Sequence, residues 1–270
     1  MDLKELFDVS GKVAVVTGGG RGIGYMVAEG FVRNGVKVYI VSRNKGACDQ
    51  AARALNELGP GRCISLSADL QDYNQVKSVA EQLEEREPEG IDILVNNSGA
   101  NWASSLEEYP DKGFAKVINL NLQRVFTLTQ LLVPLLKKKG THEDPSRVIN
   151  VGSIDGIRIP TQETYAYSAS KAGLHHLSRV MAANLGNANI TVNAIAPGPF
   201  QSKMMKATLD ANHDEILKHI PLRRIGRPED MAGICVYLSS KAGSYVNGAV
   251  IPVDGGSVIG NQQYVIKPRL

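Results

Sequence analysis

The sequence has few cysteines and no arrangement of them that would serve as a framework. Cys48, Cys63 and Cys235 are odd in number and widely spaced, and no Cys-x-x-Cys pair occurs. Disulfide scaffolds use even, patterned sets of cysteines, and thiolate metal sites use closely spaced pairs. The five histidines also lack ligand spacing. These absences exclude a small disulfide-stabilised fold, and they predict a reducing compartment and no metal site.

Long apolar runs and a large excess of one charge are absent as well. The densest apolar run, Leu131–Leu136, contains Pro134 and is far shorter than the ~20 residues that a membrane-spanning helix needs. The charged start, Met1–Glu5, lacks the apolar core of a secretory signal. The net charge of +3 is too small for a nucleic-acid-binding surface. We therefore expect a cytoplasmic protein with no membrane or nucleic-acid partner; the ending Pro268–Leu270 only faintly resembles a peroxisomal signal.

Short runs rich in Val and Ile alternate with longer amphipathic stretches along all 270 residues. Such runs are typical of parallel strands buried on both faces, and their alternation with helices is typical of a doubly wound α/β sheet. The predicted strands are Val13–Val16, Val36–Val41, Arg62–Leu66, Ile91–Val95, Val148–Val151, Ile190–Ile195 and Val250–Val253. The predicted helices are Gly24–Asn34, Lys45–Leu58, Tyr73–Glu87, Asp111–Lys139, Thr164–Leu185 and Pro228–Ser240. Because no linker or repeat divides the chain, we predict one α/β domain over residues 1–270.

One segment, residues 197–222, departs from this alternation. It begins with Pro197-Gly198-Pro199 and continues as a mixed helical stretch near the predicted carboxyl edge of the sheet. Excursions hinged by Gly and Pro at that edge often serve as substrate lids. We predict a substrate-lid segment here, although an ordinary pair of surface helices fits the spacing equally well.

A glycine-rich turn, Thr17–Gly24, follows the first predicted strand and leads into a helix. Its pattern is T-G-x-x-x-G-x-G, and it contains no Walker-type Gly-Lys-Ser/Thr. Glycines let the backbone approach a pyrophosphate closely, with the amides and dipole of the following helix facing the anion. A flexible glycine loop is the plainer alternative. The strand before it and the helix after it favour a dinucleotide site over a phosphoryl-transfer site.

The end of the second predicted strand indicates which dinucleotide binds. An NAD site carries Asp or Glu there for the ribose 2′-hydroxyl, but no acid occurs from Val36 to Cys48. Arg43 at the strand end, and Arg21 in the glycine turn, offer guanidinium donors to a 2′-phosphate. Either arginine could be merely exposed. The missing acid and the placement of Arg43 together predict NADP(H).

Two further motifs carry candidate catalytic groups. Tyr167 and Lys171 are four residues apart in a predicted helix and therefore share a face. Acid–base work near neutrality requires a tyrosine pKa about 3 units below its usual value, which a neighbouring lysine and a bound cofactor are expected to supply. Ser153 ends the fifth predicted strand, where α/β sheets bind ligands. Alone, this serine would be read as a turn or cap residue, and no G-x-S-x-G elbow supports a hydrolase.

Together these motifs resemble the short-chain dehydrogenase/reductase family. The resemblance rests on the glycine turn, Asn96-Asn97-Ser98-Gly99, Ser153, Tyr-x-x-x-Lys at Tyr167 and Lys171, and Pro197-Gly198, in that order along nearly the whole chain. It implies a Rossmann-like sheet of about seven strands, in the order 3-2-1-4-5-6-7, with helices on both faces. Serine in Asn-Asn-Ser-Gly, and Ser202 after Pro-Gly, are small departures from the commoner pattern.

The resemblance also implies residue roles. Tyr167 would be the general acid/base, Lys171 would lower its pKa and hold the nicotinamide ribose, and Ser153 would orient the carbonyl. Asn121 would anchor a water of the proton relay. With the glycine turn and the two arginines included, the predicted cofactor site consists of Gly18, Gly20, Arg21, Gly22, Ile23, Gly24, Ser42, Arg43, Asp69, Leu70, Asn97, Gly99, Arg124, Tyr167, Lys171, Pro197, Gly198, Phe200 and Ser202.

Within the family, Asn97–Trp102, Pro145–Asn150, Tyr165–Ser168 and Ile251–Gly256 are similar to β-ketoacyl reductases, especially the rhamnolipid-biosynthesis type. We therefore expect an NADPH-dependent ketone reductase acting on a small-molecule or acyl-carrier-linked keto substrate. A polyketide, quinone or sugar-type carbonyl is the alternative substrate. A non-catalytic NADP-binding regulator is the alternative function, although the presence of all four catalytic-type residues argues against it.

The long helices Asp111–Lys139 and Thr164–Leu185 are unusually apolar for surface helices. Family members bury such helices between subunits, so the resemblance implies a homodimer or homotetramer. His175 and His176 follow Lys171, and we expect them to serve packing or a subunit interface.

Overall fold

A computed structural model describes residues 2–202, 205 and 213–260. Seven parallel strands form one sheet in the order β3-β2-β1-β4-β5-β6-β7. The strands are β1 (Val13–Thr17), β2 (Lys37–Ser42), β3 (Arg62–Ser67), β4 (Ile93–Asn96), β5 (Ser146–Val151), β6 (Ile190–Pro197) and β7 (Val250–Val253). The predicted fold class, strand number and strand order are confirmed. Because the order reverses direction at β1 and β4, the carboxyl ends of these two strands flank the crevice in which such sheets bind ligands.

The helices cover both faces of the sheet. They are α1 (Leu3–Leu6), α2 (Gly22–Arg33), α3 (Lys45–Asn56), α4 (Tyr73–Arg86), α5 (Asp111–Ile118), α6 (Arg124–Lys139), α7 (Tyr165–Leu185) and α8 (Pro228–Ser239). Residues 213–218 are also helical. The predicted single helix Asp111–Lys139 is wrong in its middle, where a π-helical turn, Asn119–Gln123, separates α5 from α6. The short helix α1 was not predicted.

Successive side chains along each strand point to opposite faces of the sheet and pack in two separate apolar cores. Val16 and Ile40 face one core with α2, α3 and α8, whereas Val15 and Tyr39 face the other with α4, α6 and α7. Strands β1 and β5 are buried along their whole length. This explains the near-continuous Val and Ile runs, since strands covered by helices on both sides have no solvent face.

Paired charges stabilise the amino edge of the sheet, where the strands begin. Arg147, in β5, is 1% exposed, and its guanidinium donates to the backbone oxygens of Leu238 (2.9 Å) and Ser240 (3.0 Å). It also donates to the Asp144 carboxylate at 3.0 Å, and Lys12 approaches the same carboxylate at 2.5 Å. Each buried charge here has an opposite charge beside it, which offsets its desolvation.

Candidate active site

A cavity of about 310 Å³ runs along the carboxyl edge of the sheet, opposite the paired charges. Segments that follow six of the strands, β1 to β6, line it. Of the predicted site residues, those lining it are Gly18, Arg21, Gly22, Ile23, Ser42, Arg43, Asp69, Leu70, Asn97, Gly99, Ser153, Tyr167, Lys171, Pro197, Gly198, Phe200 and Ser202. The residues predicted to bind the cofactor and those predicted to act in catalysis therefore line the same cavity.

The glycine turn forms one wall of the cavity and leads into α2. Gly18 and Gly22 have positive φ angles of 68° and 55°, which side chains other than glycine rarely adopt. No side chain caps the start of α2, whereas Asn44 caps α3 and Asp72 caps α4. The first amides of α2 thus remain available to an anion, which is the arrangement that binds a pyrophosphate.

Two glycines of this turn, Gly20 and Gly24, do not line the cavity. A Cβ on Gly24 would collide with the backbone of Gly18, so this position needs glycine for the close packing of helix against turn. The predicted cofactor contact of both glycines stays a prediction.

Arg21, Ser42 and Arg43 surround the end of the cavity beside β2. Both arginine side chains are exposed there. Asp69 and Leu70, which follow β3, line the adjoining wall. The residues present at the β2 end fit a phosphate-bearing ribose, because they include two guanidinium groups, a hydroxyl and no carboxylate.

Hydrogen bonds between Thr17 and Asn97 connect the glycine turn to the segment that follows β4. The Thr17 hydroxyl accepts hydrogen bonds from the backbone amides of Asn97 (2.8 Å) and Ser98 (2.9 Å). The Asn97 side chain donates to the Thr17 carbonyl at 2.8 Å. Sequence reasoning assigned no role to Thr17, which here joins the two strand ends that flank the cavity.

Ser153 follows β5 and is 7% exposed. Its hydroxyl oxygen accepts a 3.1 Å hydrogen bond from the backbone amide of Asp155 and thereby caps a short 3₁₀ turn, Ile154–Gly156. Ser153 and Tyr167 both line the cavity, and the Ser153 hydroxyl acts to lower the pKa of Tyr167. The structure therefore brings the predicted serine and tyrosine together.

The pKa of Tyr167 lies above the usual value for a tyrosine. Its pKa is raised to about 12, chiefly by burial; the Ser153 hydroxyl opposes the rise, and the nearby Asp155 carboxylate adds to it. Without a cofactor the pKa is raised because burial disfavours the charged phenolate. The fall expected from Lys171 together with a bound cofactor stays a prediction. The phenol is consequently neutral near pH 7 and able to donate a proton.

Lys171 lies one turn further along α7 and is 4% exposed. Its ammonium donates to the Val151 carbonyl at 2.7 Å and lies 5.6 Å from the centre of the Tyr167 ring. Among the described residues, no carboxylate lies within ion-pair distance of it. Burial lowers the pKa of Lys171 to about 8, so the group is still mainly charged at neutral pH.

Asn121 lies behind the cavity in the π-helical turn and is fully buried. Its side-chain oxygen accepts from the Ala100 amide at 2.8 Å, and its side-chain nitrogen donates to the Ala100 carbonyl (2.9 Å) and the Ser170 hydroxyl (3.0 Å). This side chain thus anchors the loop after β4 to α7. Its predicted part in a water relay stays a prediction.

Arg124 does not line the cavity, and its predicted cofactor contact stays a prediction. Its guanidinium donates to the Gln71 carbonyl at 3.2 Å and lies 5.8 Å from the centre of the Tyr73 ring. The π-helical turn, which the sequence did not predict, lies immediately before Arg124. Arg124 therefore fixes the connection between β3 and α4.

The part of the cavity beside Ser153 and Tyr167 is lined by residues that sequence reasoning missed. Asp155, Arg158 and Gln162 line it, and the Arg158 Nε lies 3.4 Å from the Asp155 carboxylate. Burial raises the pKa of Asp155 even though Arg158 opposes the shift. Their position between Ser153 and Tyr167 in the sequence was the available signal, since a loop joining two catalytic groups must pass beside the site.

The predicted lid segment, residues 197–222, is described only in part. Residues 197–202, 205 and 213–222 are described, and the remainder lies outside the described residues. Phe200, Ser202 and Met205 line the cavity. The predicted peroxisomal resemblance at Pro268–Leu270 also lies outside the described residues.

The part of the chain that the structure describes contains neither a cluster of metal ligands nor a helix that could span a membrane. There, no three His, Cys, Asp or Glu side chains are grouped to hold a metal ion. Over the same residues, no helix combines the length and apolarity needed to cross a bilayer.

Comparisons with known proteins agree with this geometry. Residues 18–258 match the family model described as enoyl-(acyl carrier protein) reductase. The chain is 43% identical to the rhamnolipids biosynthesis 3-oxoacyl-[acyl-carrier-protein] reductase of Pseudomonas aeruginosa, covering 93% of this chain and 97% of that protein. It is 36% identical to the 3alpha-hydroxysteroid dehydrogenase of Mediterraneibacter gnavus, covering 91% and 96%. Among solved structures, the Pseudomonas aeruginosa RhlG/NADP active-site complex matches with a TM-score of 0.91 at 42% identity, covering 94% and 99%.

Proposed function

The chain belongs to the short-chain dehydrogenase/reductase family of oxidoreductases, and within that family we propose that it is an NADPH-dependent reductase of 3-oxoacyl substrates. One observation carries the proposal: Ser153, Tyr167 and Lys171 line the same cavity as Arg21 and Arg43. One dinucleotide bound in this cavity could therefore contact both the proton donor, Tyr167, and the arginines that would select NADP(H). A residue set of this kind has no purpose in a protein that only binds partners.

NADP(H) fits the residues that surround the cavity. The uncapped start of α2 suits the pyrophosphate, and Arg21 and Arg43 suit the 2′-phosphate. A bound NADP is named for the similar Pseudomonas aeruginosa structure, which supports the same choice here. When bound, the reduced nicotinamide supplies the hydride for the carbonyl carbon.

The chain's own groups handle the carbonyl oxygen. Ser153 would donate its hydroxyl hydrogen to that oxygen, since the Asp155 amide already occupies an acceptor site on the serine oxygen. Tyr167, neutral at pH 7, would donate the proton that the developing alkoxide needs. Lys171, held by the Val151 carbonyl, would stabilise the phenolate that remains.

The relatives support one substrate class over others. The 3-oxoacyl-[acyl-carrier-protein] reductases of Pseudomonas aeruginosa and Chlamydia trachomatis, at 43% and 36% identity, support a 3-oxoacyl group, free or carrier-linked. The hydroxysteroid dehydrogenase and the 2-dehydro-3-deoxy-D-gluconate 5-dehydrogenase relatives keep steroid and sugar-type ketones as alternatives. An acyl thioester is therefore the first substrate to test.

We also propose a homodimer or homotetramer in the cytoplasm. An apolar groove between the π-helical turn and α7 supports the association; its residues are Ile118, Leu122, Gln123, Phe126, Gly173, His176, Leu177 and Val180. Phe126 and Val180 are each 44% exposed, which a second subunit would bury. Three buried, free cysteines fit a reducing compartment. We further propose that residues 197–222 close over bound substrate, because Phe200 and Met205 already line its cavity.

Purified protein should be assayed for NADPH oxidation with 3-oxoacyl thioesters, and in parallel with steroid, quinone and sugar-type ketones. We expect the fastest turnover with the thioesters, with a 3-hydroxyacyl product and little activity with NADH. Turnover confined to another ketone would correct the substrate. Tight NADPH binding with no turnover on any ketone would overturn the proposal in favour of a non-catalytic NADP-binding regulator.

A further inference from the structure

We propose that His175 is a positioning residue that holds the Ser153 backbone in place for reduction; this rests on the proposed function, in which Ser153 orients the carbonyl. The imidazole Nε2 accepts a hydrogen bond from the Ser153 amide, with an N···N distance of 3.5 Å. His175 therefore contacts the catalytic segment from behind, on the side away from the cavity.

His175 lies on the face of α7 whose side chains hydrogen-bond the backbone at the end of β5. Tyr167, Lys171 and His175 follow each other at four-residue steps, so they stack along that face. Lys171 donates to the Val151 carbonyl at 2.7 Å, and His175 accepts from the amide of Ser153, two residues on. Two successive turns of α7 thus fix both sides of the Gly152 peptide.

Two glycines leave room for the imidazole. A Cβ on Gly156 would lie 2.9 Å from the His175 Cε1 atom, and a Cβ on Gly152 would overlap the ring at Nε2. Because these glycines flank the Ser153 segment, the ring fits between them in close contact with the backbone that carries the serine.

The imidazole is in the protonation state that the contact needs. His175 is 5% exposed, and burial together with the cations of Lys171 and Arg179 lowers its pKa to about 4. At neutral pH the ring is uncharged, and the tautomer that carries its proton on Nδ1 leaves Nε2 with the lone pair that accepts from the Ser153 amide. A protonated ring would lose that acceptor and add a cation beside Lys171.

Hydrogen–deuterium exchange of the apo-protein tests the contact without any turnover. Variants His175→Leu, His175→Asn and His175→Gln should be compared with wild type, with mass-spectrometric fragmentation to resolve the Ser153 amide. Of the three replacements, only glutamine places an oxygen acceptor near the position of Nε2. We expect Ser153 exchange to rise about tenfold in the leucine and asparagine variants and to stay near wild type in the glutamine variant.

Steady-state kinetics supply the functional half of the test. We expect kcat to fall about tenfold in the leucine and asparagine variants, with the NADPH Kd unchanged and glutamine restoring most of kcat. His142→Leu, which removes a 94% exposed histidine, is the matched control and should change nothing.

The outcomes separate the two proposals. Ser153 exchange that is equal in the asparagine and glutamine variants, or kcat unaffected by all three substitutions, would overturn the role of His175. If wild type reduces no ketone, the proposed function fails, while the exchange comparison still decides whether His175 holds the Ser153 amide. Should the leucine variant not fold, the asparagine and glutamine pair carries the comparison.

Discussion

The two edges of the same sheet bury charge in opposite ways. At the amino edge, Arg147 is almost fully buried beside Asp144, which also contacts Lys12. At the carboxyl edge, Lys171 is just as deeply buried, but its hydrogen bond goes to a neutral backbone carbonyl. The first edge pairs its charges, and the second, over the described residues, leaves its lysine without a carboxylate.

This difference separates groups that hold the fold from groups available for chemistry. Removing one member of a buried ion pair is strongly destabilising, because its partner is left uncompensated. A buried, unpaired group instead has a perturbed pKa: burial lowers that of Lys171 to about 8 and raises that of Tyr167 to about 12. Substitutions at the two edges should therefore affect different measurements.

The largest expected effect is on catalysis at the carboxyl edge. Tyr167→Phe removes the proton donor and leaves the ring, so we expect kcat for 3-oxoacyl reduction to fall about 10³-fold or more. The free energy of unfolding should change by less than about 1 kcal/mol, since no charge is stranded. Assays of kcat beside urea denaturation check both expectations. A Tyr167→Phe variant that lost stability in proportion to activity would contradict the claim that the carboxyl edge serves chemistry rather than the fold.

The opposite result, a loss of stability without a loss of activity, is expected for Arg147→Met at the amino edge. The substitution leaves the buried carbonyls of Leu238 and Ser240 without their donor and removes one of the two cations beside Asp144, so we expect a loss of about 2–5 kcal/mol in the free energy of unfolding. The folded fraction should keep its kcat. Urea denaturation measures the first quantity, and kcat per folded enzyme measures the second. Reduced kcat with undiminished stability would contradict the assignment of this edge to the fold.

Cofactor selection should show the next largest effect. Arg43→Asp replaces a cation with an anion at the predicted 2′-phosphate position, so we expect the KM for NADPH to rise about 10²-fold and the KM for NADH to change little. Arg53→Asp, an exposed position on α3, makes the same charge change away from the cavity and serves as the control. Equal effects on both cofactors would remove Arg43 from the site.

The smallest expected effect concerns pH and stability. The pKa of Lys171 is about 8 in the folded protein and near ~10.4 in an unfolded chain, so between these values the unfolded state binds more protons. Stability contributed by this group must therefore rise as pH increases from about 8 to about 10. Relative to wild type, Lys171→Met should lose about 1–2 kcal/mol of that rise between about pH 7.5 and about pH 9.5. Parallel curves for the two proteins in urea denaturation would show that Lys171 is not buried unpaired.

Sequence patterns were sufficient for what depends on strand ends and helix periodicity. The order of elements placed Ser153 at the end of β5, and the four-residue spacing placed Tyr167 and Lys171 on one face of α7. The glycine turn likewise lies between β1 and α2, as the sequence predicted. These features depend on local geometry and on where parallel strands end, both of which a single sequence encodes.

Features that depend on packing between distant segments could not be predicted. Arg124 follows a π-helical turn and binds the Gln71 carbonyl, and nothing in its local sequence indicates that partner. The raised pKa of Tyr167 depends on how deeply α7 buries it, which spacing does not give. His175 was expected to serve packing or a subunit interface; its contact with Ser153 depends on glycines in another segment.

The central claim is that a neutral phenol at Tyr167 protonates a carbonyl while a bound NADPH reduces it. Single-turnover reactions with NADPH deuterated at nicotinamide C4, using wild type and Tyr167→Phe at saturating cofactor, test this most directly. The account predicts deuterium on the new hydroxyl-bearing carbon with wild type and almost no product with the variant, although both bind NADPH equally. Deuterated product formed by Tyr167→Phe at the wild-type rate would contradict it.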